Sequence, residues 1–162
     1  MSRFIVAGSP CSGKSVYVRE HMQPGDVVYD YDTMHQALSG QPSHQHDPGI
    51  RRFALAARDA VLDLLANAPD QSAWIITASP RMAEIQSLQS KLGAELILLE
   101  VTREEAHRRC DMDGRPQQWH TFVDKWFDDT DIAVGEAKHL FISSPSQARR
   151  IVQSMSRGGI EL

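Results

Sequence analysis

The chain has 162 residues, 41% hydrophobic and 23% charged, which excludes disordered and fibrous classes and suits one domain, spanning 1–162, with a core of its own. A net charge of -4 argues against a general nucleic-acid coat, although a local basic groove is compatible with it. No apolar run approaches a membrane span and the first residues lack a signal-peptide core. Cys11 and Cys110 are too few and too unpatterned for a disulfide framework or a zinc site, so a soluble chain in a reducing, cytoplasmic setting is expected.

The first predicted strand is Arg3 to Ala7 and the first predicted helix Ser15 to Met22. Between them Gly8-Ser9-Pro10-Cys11-Ser12-Gly13-Lys14-Ser15 matches G-x-x-x-x-G-K-[S/T] at every specified position. Gly8 and Gly13 permit the backbone turn and the close approach that lets successive N–H groups and the helix N-terminus face a phosphate. Lys14 is placed to reach the terminal phosphates of a nucleotide, and the Ser15 hydroxyl to ligate Mg2+. Cys11 fits either a redox switch or a small side chain tolerated where only the backbone N–H matters.

Pro24-Gly25 is a turn, and Asp26 to Asp30 reads as a second buried strand. Asp30 and Asp32 fall at the carboxyl end of that strand, on the sheet edge to which the phosphate loop also points. Asp32 fits a general base for an acceptor hydroxyl and equally the N-cap of the helix from Thr33 to Leu38. Ser39 to Gly49 is predicted as an exposed loop able to cover a substrate, with His44 and His46 read as solvated rather than metal-binding. Ile50, Phe53, Ala54, Ala57, Val61, Leu64, Leu65 and Ala68 recur at helical spacing and predict a helix over 50–68 with that stripe in the core and Arg51, Arg52 and Arg58 off it.

Ala73 to Thr77 is the third predicted strand, and Ser79-Pro80 the N-cap and first-turn proline of a helix that Gly93 stops. No acidic residue follows this strand where many phosphate-loop enzymes place a metal ligand, which makes Asp30 the substitute, directly or through water. Glu95 to Val101 is the fourth strand, and Thr102 to Glu105 opens the next helix as a capping box. Arg108, Arg109 and Arg115 then suggest a lid over a transferring phosphate, with surface ion pairs to Asp111 and Asp113 as the other reading. Trp119, Phe122, Val123, Trp126 and Phe127 fit a helix face that docks the lid on the core. A short edge strand over 138–142, a helix from Ser144 to about Met155 and a frayed tail complete the chain.

Strands alternating with helices predict an α/β three-layer sandwich around a parallel sheet, the P-loop NTPase fold with a helical arginine lid. The loop from Gly8 to Ser15, the Tyr29-Asp30-Tyr31-Asp32 strand end and the arginines after the fourth strand resemble the small phage-type P-loop kinases related to the kinase domain of polynucleotide 5'-hydroxyl kinase. The resemblance implies ATP and Mg2+ as cofactors, Asp32 as general base, and Arg109 and Arg115 clasping the phosphates. It also implies a nucleic acid or nucleotide acceptor, and host cytoplasm as the location if the source is a phage. A nucleoside monophosphate kinase and a nucleotide-binding switch without turnover stand as the alternatives.

Overall fold

The computed structural model describes residues 1–42, 44–132 and 138–141. The strands β1 (Arg3–Gly8), β2 (Val27–Asp30), β3 (Ala73–Thr77), β4 (Glu95–Glu100) and β5 (Lys138–Phe141) form one parallel sheet in the order β2-β3-β1-β4-β5. The helices are α1 (Lys14–His21), α2 (Tyr31–Ser39), α3 (Pro48–Ala66), α4 (Met82–Leu92), α5 (Arg103–Met112) and α6 (Gln118–Asp129). This is the three-layer α/β arrangement expected. The predicted helix after Ser144 and the tail lie outside the described residues.

The strands are apolar almost without interruption because both sheet faces are covered. Successive side chains point to opposite faces. Ile5, Ala7, Ala73, Ile75, Leu96 and Leu98 therefore pack with Leu62 and Leu65 of α3 and with Ile85 and Leu92 of α4. Val6, Trp74, Ile76, Ile97 and Leu99 go to the other face, against Tyr17 and Val18 of α1. A third cluster stands apart from the sheet: Ala106 and Cys110 of α5, Trp119 and Val123 of α6, and Cys11 of the loop after β1. The apolar face of α6 thus docks the arginine-bearing segment as expected, with Phe122 left 39% exposed at its edge.

Three local expectations are corrected. Helix α3 turns Ala54, Leu62 and Leu65 inward, while Phe53 and Leu64 stand 51% and 71% exposed. The periodicity alone fits either rotation of the helix, and packing on the sheet selects the one that buries Leu62. Helix α4 starts at Met82, two residues beyond Pro80; the Ser79 hydroxyl accepts from the Arg81 N–H at 3.2 Å and donates to Glu84 at 2.6 Å, so it organises the turn before the helix rather than capping it. At α2 the N-cap is Asp30, whose carboxylate accepts from the Asp32 N–H at 3.2 Å, and Asp32 lies inside the first turn. The Asp32 side chain is thereby relieved of the capping role.

Candidate active site

The site is assembled where β1, β2 and β3 end. Gly8 sits at φ 152° with its Cα face against β4: a Cβ there would meet the Leu99 carbonyl oxygen at 2.4 Å. Only glycine permits so close a passage between the strand and the loop. Gly13, at φ 94°, then leads into α1, and Cys11 is left-handed at φ 61°. The loop wraps a space that the Lys14 ammonium closes, donating to the carbonyls of Gly8 at 2.9 Å and Ser9 at 2.6 Å. Burial lowers the Lys14 pKa to about 8; Asp30 and Asp32 pull it upward, and Arg115 adds to the depression.

Ser15 donates to the Asp30 carboxylate at 3.2 Å, which also receives the Thr33 hydroxyl at 3.2 Å. A hydroxyl and a carboxylate side by side are hard oxygen donors, and Mg2+ typically takes one or two such protein oxygens and completes its shell with water and phosphate. The pair fits that ion, and both residues anticipated for it are brought together.

Asp32 faces the same cleft, of about 1150 Å³, that Lys14, Arg109 and Arg115 line. Burial raises its pKa, but the hydrogen bond from His46 Nε2 at 2.7 Å and the charges of His46, His44 and Lys14 outweigh that, and the net shift is downward. The carboxylate is held ionised. His46, which the sequence pattern places in an exposed loop as a solvated ring, instead finds its partner 14 residues away across α2.

The lid arginines divide. Arg109, its side chain 16% exposed, donates through Nε to Glu105 at 2.7 Å and through Nη1 to the Ser12 carbonyl at 3.2 Å, so it already rests on the phosphate loop. Arg115 donates to His44 Nδ1 at 3.0 Å, stacks over Trp119 at 4.5 Å and keeps a buried Nε without a hydrogen-bond partner among the described residues. Arg108 pairs with Glu105 on the exposed side of α5 rather than with Asp111 or Asp113, and the Asp113 pair is made by Arg115 at 3.4 Å. Arg108 and Arg109 together hold the Glu105 carboxyl down to about 2. Of the α3 arginines placed off the apolar stripe, Arg51 and Arg58 also line the cleft, whereas Arg52 lies over Phe53 at 4.8 Å.

The cysteines are corrected as well. Cys11 and Cys110 form a disulfide with their Cα atoms 5.8 Å apart, joining the phosphate loop to α5. Their spacing in the chain carried no such signal, because the loop and α5 meet only through the tertiary fold, and cysteine usage gives no argument for a reducing setting. Among the described residues no helix is long and apolar enough to cross a membrane.

No protein-family model matches the chain, and no curated protein sequence matches it. Solved structures do. A gluconokinase from Sinorhizobium meliloti 1021 superposes with TM-score 0.60 at 14% identity, over 98% of this chain and 98% of that one. A shikimate kinase from Acinetobacter baumannii in complex with shikimate gives TM-score 0.60 at 13% identity, over 99% and 96%. A tunicamycin resistance protein from Deinococcus radiodurans gives 0.56 at 18% identity, over 100% and 98%. The described residues have the fold of small P-loop kinases.

Proposed function

We propose that the protein is an ATP-dependent kinase that transfers the γ-phosphate to a hydroxyl group of a small molecule, a nucleoside or nucleotide among the candidates. The observation that carries this reading is the facing pair in one cleft: the Lys14 ammonium at the phosphate loop and the ionised Asp32 carboxylate across from it. A phosphate acceptor needs no such base, and this is the feature that separates the reading from the nucleoside monophosphate kinase alternative. A switch without turnover would not need the base. The nucleic-acid acceptor is the less supported form of the reading, since the similar folds bear the names of a gluconokinase and a shikimate kinase.

In the reaction the loop N–H groups from Gly8 to Ser15 and the Lys14 ammonium bind the β- and γ-phosphates. Ser15 and Asp30 would hold Mg2+, which when bound neutralises phosphate charge. The acceptor oxygen attacks the γ-phosphorus, the bond to the bridging oxygen breaks, ADP departs, and Asp32 takes the acceptor proton. Arg109 and Arg115 supply positive charge where the transferring group is richest in negative charge.

The test is γ-phosphate-labelled ATP offered with a panel of polyols, hydroxy acids, nucleosides, nucleoside monophosphates and 5'-hydroxyl DNA and RNA. Label should move to small hydroxyl compounds. Transfer confined to nucleoside monophosphates would give the assignment to that alternative, and transfer confined to polynucleotide ends would restore the nucleic-acid acceptor.

A further inference from the structure

We infer that His46 is a positioning residue for Asp32: its Nε2–H holds Asp32 Oδ1, so that the carboxylate meets an acceptor hydroxyl in one orientation, through Oδ2. The inference rests on Asp32 being the base. Its geometry is specific. The two side chains meet at 2.7 Å with 25% and 28% of their surface exposed, while Asp32 Oδ2 has no hydrogen-bond partner among the described residues.

The imidazole is itself held by rings on three sides. Tyr31 meets it edge-on at 5.4 Å, His35 lies at 5.0 Å and Trp119 at 5.7 Å. The segment that carries it is pinned at both ends. The His44 carbonyl accepts from Trp119 Nε1 at 3.1 Å, and the Asp47 backbone meets the fully buried His35 ring at 3.1 Å. A stretch of glycine, proline and polar residues pays ordering entropy for such restraint. What the restraint delivers is one ring nitrogen on one carboxylate oxygen, beside the phosphate loop.

The experiment compares His46→Phe, which keeps a ring for Tyr31 and Trp119 but has no donor, with His46→Gln, whose amide can still donate. The readouts are kcat and KM for ATP in ATP hydrolysis, in which water serves as the acceptor. His46→Phe should cut kcat roughly 10- to 100-fold, a part of what a positioned base supplies, with KM for ATP within about twofold. His46→Gln should recover most of the lost rate. A parent-like kcat in a folded His46→Phe protein, or equal losses of kcat in both variants, would overturn the inference. Should His46→Phe fail to fold, a parent-like kcat in His46→Ala would overturn it equally. An Asp32→Asn enzyme with parent kcat would remove the base assignment and this inference together, whereas an impaired Asp32→Asn beside an unimpaired His46→Phe would remove this inference alone.

Discussion

Cys11 of the phosphate loop is bonded through sulfur to Cys110 of α5, the residue after Arg109, so α5 is tethered to the loop on which Arg109 rests. The bond spans 99 residues of chain, and a cross-link of that span lowers the entropy of the unfolded chain by an amount worth about 4–5 kcal/mol in the loop-closure treatment. Reductant should therefore lower the denaturant midpoint clearly, and Cys110→Ser should sit near the reduced value and ignore reductant. Equal midpoints with and without reductant for the parent would contradict the tether.

Gly8 and Gly40 separate backbone strain from crowding. Both have positive φ, but nothing lies within 4 Å of a Cβ at Gly40, whereas at Gly8 the Leu99 carbonyl oxygen is in the way. Gly40→Ala should cost about 1 kcal/mol of stability, the left-handed penalty alone. Gly8→Ala should cost about 3 kcal/mol and abolish ATP binding, because backbone rather than a movable side chain must shift. Chemical denaturation and nucleotide titration of the two variants check this.

The difference between legible and illegible parts of the molecule follows from the range of the interactions. The loop from Gly8 to Ser15 and the Thr102 cap on the Glu105 N–H at 3.1 Å are built from neighbours in the chain, and both were readable. The aromatic stripe on α6 was readable for the same reason. The pairing of His46 with Asp32, of Arg115 with His44 across 71 residues, and of Cys11 with Cys110 exists only after the sheet brings separate segments together. Asp30 and Asp32 fell between: both were placed at the site, but two carboxylates two residues apart compete for one cap, and the strand end gave it to Asp30.

Lys14 gives a pH dependence. Below about pH 8 its ammonium is charged and attracts phosphate; above that it loses its proton, because burial disfavours the charge. The Kd for ATP should weaken as pH rises from 7 to 9, approaching roughly tenfold per unit above 8, and Lys14→Met should flatten the profile. The same group affects stability with a defined sign. Its folded pKa lies below the ordinary 10.5, so the unfolded chain binds more protons between about 8 and 10.5, and its contribution to stability rises with pH across that window. Calorimetric ATP titrations at pH 7, 8 and 9 test the binding side.

Arg109 and Arg115 should be kinetic rather than binding residues. Arg109→Ala and Arg115→Ala are each expected to lower kcat more than they raise KM for ATP, since charge over the transferring group acts chiefly in the transition state. Arg108→Ala, which breaks only the exposed pair with Glu105, should leave kcat within about twofold. Steady-state kinetics of the three variants would sort them, and a full-activity Arg109→Ala and Arg115→Ala pair would remove the lid.

The central claim is that Asp32 receives a proton from an acceptor hydroxyl while Lys14 and the loop hold the donor phosphates. The most direct measurement is single-turnover phosphoryl transfer by Asp32→Asn, to the acceptor found in the labelled panel, alongside its Kd for ATP. Asp32→Asn should keep an ATP Kd within about threefold of the parent and transfer more slowly by roughly two to four powers of ten. A transfer rate near that of the parent, with ATP bound as tightly, would contradict the claim.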